Sequence, residues 1–183
     1  MRGFTAMPDN LTTAAKTGPY SGSATIADED FVLEIDLVDE AATAALAANL
    51  ARIARPHDVL ALSGDLGSGK TAFARAFVRA SGAGAEVPSP TFTLVQAYDG
   101  NAGPIHHFDL FRLTSPEETD ELAMDEAFAD GICLIEWPDR MGARLPAERL
   151  DIEFGPGPDA GARCVRLSAH GAWRRRLGEA GLG

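Results

Sequence analysis

Residues 64–71 match the phosphate-binding pattern G-x-x-x-x-G-K-S/T in full, and they read Gly64, Asp65, Leu66, Gly67, Ser68, Gly69, Lys70 and Thr71. The glycines allow successive backbone N–H groups to curl around a phosphate, and a following helix adds partial positive charge at its N-terminus. Lys70 is predicted to reach the β and γ phosphates of a nucleotide, and Thr71 to place its hydroxyl on Mg²⁺. The segment therefore predicts a nucleotide site.

Lysine is rare in this chain, which makes the one in the motif informative. Only Lys16 and Lys70 are lysines among the 16 basic residues. Because a planar guanidinium does not replace a compact ammonium inside a tight phosphate loop, the chemistry of the loop favours lysine at position 70.

Two carboxylates follow β-prone runs, as a nucleotide site with Mg²⁺ requires. Asp109 follows residues 105–108, and Glu136 follows residues 132–135. A P-loop enzyme needs a carboxylate at the end of a neighbouring strand to hold the metal or its water. Both residues are candidates for that task.

Three hydroxyl side chains, Ser89, Thr91 and Thr93, lie beside Pro88 and Pro90 ahead of a predicted strand. A segment of this kind can act as a switch that senses the γ-phosphate or completes the Mg²⁺ shell. An ordinary surface loop has the same composition, so both interpretations stay open.

The elements that must position these side chains follow from the hydrophobic pattern. Residues 59–63 form a short apolar run typical of a strand buried on both faces, and an amphipathic helix begins near Lys70 and ends near Gly82. Alternation predicts further strands over 31–37, 150–154 and 165–167. Two β-prone runs over 91–98 and 105–111 predict an antiparallel hairpin, and the apolar run over 132–135 predicts a buried strand. In the strand over 105–111, one of the adjacent His106 and His107 faces the core and the other faces solvent, which favours structural roles.

Helices are predicted from about Asp39 to Pro56, after a Ser115-Pro116 capping sequence, and over 125–129. Strands alternating with helices predict an α/β protein with a P-loop NTPase-like three-layer fold. Its mixed sheet should combine a parallel core with antiparallel hairpins.

Domain organisation follows from the same pattern. Residues 31–170 are predicted to form a single P-loop ATPase domain. Residues 1–30 lack an apolar period and are predicted to be a disordered extension, because they bury too little surface to offset the entropy of ordering. Residues 171–183 are predicted to be a basic C-terminal tail.

The chain has 183 residues and a formal net charge of -11. This charge disfavours a protein that grips nucleic acid or an anionic membrane with its whole surface. No stretch approaches the roughly 18 apolar residues that span a bilayer, and no signal peptide is evident, so we expect a cytoplasmic protein without membrane contact. Cys133 and Cys164 are expected to be reduced structural thiols.

The charge is distributed unevenly. Residues 109–139 hold ten acidic residues and one base, whereas residues 163–176 hold five arginines and no acid. These segments are either two solvated faces or docking surfaces for a charged protein partner.

Four motifs in order resemble the TsaE family, the ATPase subunit of the bacterial tRNA threonylcarbamoyladenosine machinery. They are the P-loop at 64–71, Ser-Pro-Thr-Phe-Thr at 89–93, His-Phe-Asp-Leu-Phe-Arg at 107–112 and Glu-Trp-Pro at 136–138. The resemblance covers roughly residues 33–155. It implies a small ATPase, slow on its own, that binds the TsaB and TsaD subunits and meets tRNA indirectly. Its role would be to support the threonylcarbamoyl modification of adenosine 37 in tRNAs that read codons beginning with A.

The resemblance also implies roles for individual residues. Thr71 and Glu136 would ligate Mg²⁺, Asp109 would take the Walker B role, and Lys70 would hold phosphate of the bound ATP. Glu40 matches a family position near the nucleotide, and Trp137 would lie close to the site. The sequence departs from the family at Phe111, where tyrosine is usual, and in the extension over residues 1–30.

Two other functions fit the same motifs. A small-molecule kinase would transfer phosphate to a metabolite, but it needs a mobile basic lid, for which only Arg140 and Arg144 are nearby candidates. A nucleotide-dependent scaffold would bind ATP and use the bound state rather than hydrolysis. The order of the four motifs favours the ATPase.

Overall fold

The computed structural model describes residues 11–17, 20–27, 30–84, 87–88, 90, 93–159 and 161–180. These residues form nine strands: β1 (Leu11–Thr17), β2 (Tyr20–Ala27), β3 (Asp30–Leu37), β4 (Val59–Gly64), β5 (Val95–Gly100), β6 (Gly103–Asp109), β7 (Ile132–Glu136), β8 (Leu150–Pro156) and β9 (Arg163–Ala169). The helices are α1 (Glu40–Ile53), α2 (Lys70–Ala80), α3 (Met124–Asp130) and α4 (Ala172–Glu179), and 3₁₀ helices cover Pro116–Leu122 and Pro138–Arg144. No helix in this part of the chain has the length and apolar content of a bilayer-spanning segment.

All nine strands belong to one mixed sheet, in the order β1-β2-β3-β9-β8-β4-β7-β6-β5. Strands β8, β4, β7 and β6 are parallel, whereas β5 pairs with β6, β9 with β8 and β3 with β9 in antiparallel fashion. The four parallel strands therefore end at the same edge of the sheet. That edge carries Gly64, Asp109 and Glu136 at the ends of β4, β6 and β7.

Two hydrophobic clusters cover the two faces of the sheet, which gives three layers. The larger cluster packs α1, α2 and α4 against the strands through residues such as Leu46, Phe73 and Leu177. The smaller one lies on the opposite face and includes Met124 and Met141 from α3 and the second 3₁₀ helix. The predicted three-layer α/β fold with a parallel core and antiparallel flanks is confirmed.

Local sequence explains why the helices begin and end where they do. The Asp39 side chain caps α1, since its Oδ1 accepts a hydrogen bond from the Ala42 amide at 2.8 Å. The helix ends before Pro56, which lacks an N–H and restricts the residue before it. Helix α2 ends before Gly82, whose φ of 88° lies in the region that favours glycine.

The N-terminal segment differs from the prediction. The predicted disordered extension over residues 1–30 includes β1 and β2, which pair in antiparallel fashion and continue the sheet from β3. Their sequence has no apolar alternation, but an exposed strand edge offers backbone donors and acceptors to any chain beside it. Residues 1–10, 18–19 and 28–29 lie outside the described residues.

The C-terminal segment also differs from the prediction of a basic tail over residues 171–183. Helix α4 buries Trp173 and Leu177 in the larger cluster. The sequence contains these two apolar residues at helical spacing, but three consecutive arginines dominate the pattern. Residues 181–183 lie outside the described residues.

Candidate nucleotide site

The loop between β4 and α2 has the backbone of a phosphate cradle. Gly64, Gly67 and Gly69 have φ values of 126°, 78° and 115°, where side-chain-bearing residues are strained. A Cβ at Gly64 would lie 2.4 Å from the carbonyl oxygen of Phe154 in β8, so the loop passes too close to that strand for any other residue. Helix α2 then begins at Lys70, and its N-terminus faces the loop.

The Lys70 side chain is buried and turned into the loop. Its Nζ donates to the carbonyl oxygens of Gly64 and Asp65 at 2.6 and 2.8 Å. The ammonium also lies 4.1 Å from the centre of the Trp137 ring. Burial lowers the pKa of Lys70, and the carboxylates of Glu136 and Asp109 oppose that effect. The charge thus lies where a phosphate group would meet it.

Glu136 is buried at the end of β7 and is held at both carboxylate oxygens. The Thr71 hydroxyl donates to Oε2 at 2.8 Å, and Nε2 of His107 lies 2.9 Å from Oε1. The contact with Thr71 joins the first turn of α2 to the strand edge. A hydroxyl and a carboxylate, both oxygen donors, therefore meet directly beside the loop.

Asp109 is buried at the end of β6 and is the register partner of Glu136 in the parallel pair. Its Oδ1 accepts a hydrogen bond from the Phe111 amide at 3.2 Å. The two strand-end carboxylates, which the sequence leaves as alternatives, are thus neighbours beside one loop.

Trp137 follows Glu136 with φ and ψ of 60° and 53°, a left-handed conformation that is uncommon for a large side chain. Its ring packs against Phe111, with 5.0 Å between the ring centroids. The turn thereby directs the indole to the loop and to Lys70.

A cavity of about 400 Å³ contains most of the predicted site residues. Its lining includes Leu66, Gly67, Gly69, Lys70, Thr71, Ala72, Asp109, Phe111, Arg112, Glu136 and Trp137. An adjoining cavity of about 210 Å³ on the β8 side of the loop is lined in part by Asp65 and Ser68.

Other predicted site residues are not brought to these cavities. Glu40 is the exposed first residue of α1 and is not among the residues that line either cavity. Thr93 is exposed, and its hydroxyl accepts from Gln96. Ser89 and Thr91 lie outside the described residues.

Residues without a predicted site role also contact this site, among them His107 and Arg163. His107, expected to be structural, touches Glu136, and the signal was its spacing of two from Asp109, which places both on one face of β6. Arg163, at the start of β9, donates from Nε to the Ser68 carbonyl oxygen at 2.9 Å. Ser68 lies 95 residues before Arg163, so no local pattern connects the two. They come together because β8 pairs with β4 on one side and with β9 on the other.

The β4–loop–α2 unit, with its lysine, threonine and strand-end carboxylates, defines a P-loop nucleotide-binding protein. The family model for the threonylcarbamoyl adenosine biosynthesis protein TsaE matches residues 37–163. This chain belongs to the TsaE family.

Individual relatives agree with the family match. The chain is 42% identical over 111 residues to the tRNA threonylcarbamoyladenosine biosynthesis protein TsaE of Bacillus subtilis. The aligned region covers 60% of this chain and 69% of the relative. The chain is 43% identical over 119 residues to the protein of the same name from Rickettsia conorii, covering 64% and 68%. A crystal structure of Bacillus subtilis YdiB superposes with a TM-score of 0.70 and 32% identity, covering 84% of this chain and 97% of that chain.

Proposed function

We propose that this chain binds ATP with Mg²⁺ and hydrolyses it in the cytoplasm as a subunit that acts with TsaB and TsaD. The reaction supports formation of the threonylcarbamoyl group on adenosine 37 of tRNAs that read codons beginning with A. Family membership supports the role in this tRNA modification. The geometry of the P-loop supports the nucleotide chemistry.

The contact between Thr71 and Glu136 carries the proposal. The two side chains come from residues 65 positions apart and meet at 2.8 Å beside the buried ammonium of Lys70. A P-loop hydroxyl and a strand-end carboxylate are the protein groups that hold Mg²⁺ in P-loop NTPases.

The donor set at this position fits Mg²⁺. The described ranges contain no group of three or more His, Cys, Asp and Glu residues placed to hold a metal. Mg²⁺ is usually held by one or two protein oxygens together with substrate phosphates and waters. Thr71 and Glu136 would be its protein ligands, and the ion would neutralise charge on the phosphate oxygens.

The other site residues would bind the phosphates of the nucleotide and position the attacking water. The backbone N–H groups of residues 65–71 would cradle the phosphates, and Lys70 would hold their outer oxygens. Asp109, in the Walker B role, would hold Mg²⁺ or its water, and either Asp109 or Glu136 would orient the attacking water. Trp137 would pack beside the phosphates. Glu40 would lie near the nucleotide, as the family resemblance implies. The segment with the hydroxyls of Ser89, Thr91 and Thr93 would act as a switch that senses the γ-phosphate.

Partner subunits are proposed to complete the site, so that hydrolysis by the isolated chain is slow. The net charge of -11 supports indirect rather than direct contact with tRNA. The five arginines of residues 163–176 do not form one surface, because Arg163 contacts the P-loop and Arg176 is buried.

The test replaces the chromosomal copy with Glu136→Ala and measures threonylcarbamoyladenosine in total tRNA by mass spectrometry, alongside ATP binding and hydrolysis by the purified complex. Glu126→Ala, on the exposed face of α3, is the matched control. We expect Glu136→Ala to bind ATP but to lose hydrolysis and the modified nucleoside. If it binds ATP, cannot hydrolyse it and still supports modification, the chain is a scaffold. Phosphate transfer to a metabolite far faster than hydrolysis would instead establish a kinase.

A further inference from the structure

His107 is a buried imidazole that no part of the proposed chemistry uses. Its side chain is 0% exposed and that of its partner Glu136 is 3% exposed. Nε2 of His107 lies 2.9 Å from Oε1 of Glu136, while Thr71 occupies the other oxygen. A carboxylate fixed at both oxygens cannot rotate without losing a hydrogen bond.

The surroundings of His107 determine its tautomer. The Glu136 carboxylate only accepts hydrogen bonds, so Nε2 must carry the hydrogen. Nδ1 is buried and has no hydrogen-bond partner in the described part of the chain. A neutral imidazole carries one hydrogen, so with that hydrogen on Nε2 the Nδ1 nitrogen bears a lone pair and no buried N–H lacks an acceptor. Both ends of the ring therefore favour the tautomer that donates to Glu136.

The two partners of Glu136 come from different elements. Thr71 belongs to α2, on the side of the loop, whereas His107 belongs to β6, two register pairs before the pairing of Asp109 with Glu136. On the proposed function, the Thr71 hydroxyl and Oε2 of Glu136 would be the protein ligands of the metal, which would leave Oε1 as the carboxylate oxygen that does not face it. The bond from His107 to Oε1 then remains to hold the carboxylate.

We propose that His107 is a positioning residue, which orients Glu136 so that its Oε2 oxygen faces the metal position. This inference rests on the proposed function, because it concerns the carboxylate assigned to Mg²⁺. Side chains that hold a metal-ligating group commonly affect metal affinity about 10–100-fold, although they do not touch the metal.

The test measures binding of a non-hydrolysable ATP analogue by calorimetry, in EDTA and across a Mg²⁺ titration, so that it does not depend on activity. We expect His107→Leu to leave the affinity in EDTA within about twofold and to raise the half-saturating Mg²⁺ concentration about tenfold. His107→Gln should restore a value near wild type, because its amide N–H reaches the position of Nε2. His107→Asn should not, since its amide is too short.

The adjacent His106 provides the matched control. It lies on the opposite face of β6, and its Nε2 contacts Asp130 at the partly exposed surface, 3.0 Å from Oδ1. We expect His106→Leu to keep the wild-type Mg²⁺ requirement. Nitrogen NMR of the free protein should also show hydrogen on Nε2 of His107.

Three results would overturn the inference. One is an unchanged Mg²⁺ requirement in folded His107→Leu, and another is hydrogen on Nδ1 instead of Nε2. The third result applies if His107→Leu does not fold: it is an equal Mg²⁺ requirement in His107→Gln and His107→Asn.

A different result would refute the proposed function itself. It is a nucleotide affinity of the wild-type protein that does not change with Mg²⁺, so the two failures are distinguishable.

Discussion

At the residue scale, the Lys70 ammonium donates to two loop carbonyls, and a nucleotide phosphate offers it charged acceptors instead. The indole of Trp137 lies 4.1 Å from the same ammonium, so any change of partners at Lys70 changes the surroundings of that ring. The sequence motif predicts which residues form the loop. It does not predict the contact with Trp137, which depends on a left-handed turn after β7.

Trp137 should therefore report on nucleotide binding. We expect its fluorescence to change saturably with ATP and Mg²⁺, because the ammonium and the phosphates rearrange beside the ring. The other tryptophan, Trp173, is buried in the larger hydrophobic cluster and should not respond. Fluorescence titration of Trp137→Phe, with Trp173→Phe as the matched variant, checks this. A full signal in Trp137→Phe would contradict it.

At the element scale, the sequence predicted those units whose signals are local. The apolar run, the glycines and the helix that make up β4, the loop and α2 are contiguous, and the capping of α1 by Asp39 lies within a few residues. The local sequence pattern does not predict helix α4, because the helix is stabilised by residues that are distant in sequence. The Arg176 guanidinium pairs with both oxygens of Asp58 at 2.5 and 2.6 Å and stacks over Trp173.

Loss of that ion pair should destabilise the fold. The side chains of Arg176 and Asp58 are only 6% and 12% exposed. We expect Arg176→Ala to lower the free energy of unfolding by about 3 kcal/mol, because it leaves a buried carboxylate unpaired. Arg175 and Glu179 pair at the surface with exposures of 71% and 67%, so Arg175→Ala should cost less than about 1 kcal/mol. Urea denaturation measures both, and equal effects would contradict the anchoring of α4.

At the scale of the whole molecule, the order of the strands decides which residues meet. Asp109, Glu136 and Gly64 come together because β6, β7 and β4 are parallel neighbours. Alternation predicts each strand but not its neighbours, because pairing joins residues that are far apart in sequence. For that reason the sequence could predict both carboxylates, yet not the contact of His107 with Glu136 or that of Arg163 with the loop.

The same packing should protect the thiol of Cys133 in β7, an interior strand of the sheet. Cys133 is fully buried, and desolvation, with a smaller effect of Asp130, raises its pKa to about 12. At about pH 8 its thiolate is scarce, so it should be alkylated only when the fold opens, whereas the half-buried Cys164 reacts first. Nucleotide should slow labelling of Cys133 further by stabilising the folded state. Mass spectrometry of iodoacetamide-treated protein measures both rates, and faster labelling of Cys133 than of Cys164 would contradict the packing.

We propose that residues 64–71 and Glu136 form a site for ATP with Mg²⁺, and calorimetry of the purified protein measures whether they do. We expect ATP to bind the purified protein at one site, with Mg²⁺ raising the affinity. Lys70→Ala should weaken binding at least about tenfold through loss of a charge-assisted hydrogen bond. Glu136→Gln should keep binding in EDTA and lose most of the effect of Mg²⁺. Equal affinities in wild type and folded Lys70→Ala, or a Mg²⁺ effect that survives in Glu136→Gln, would contradict the account.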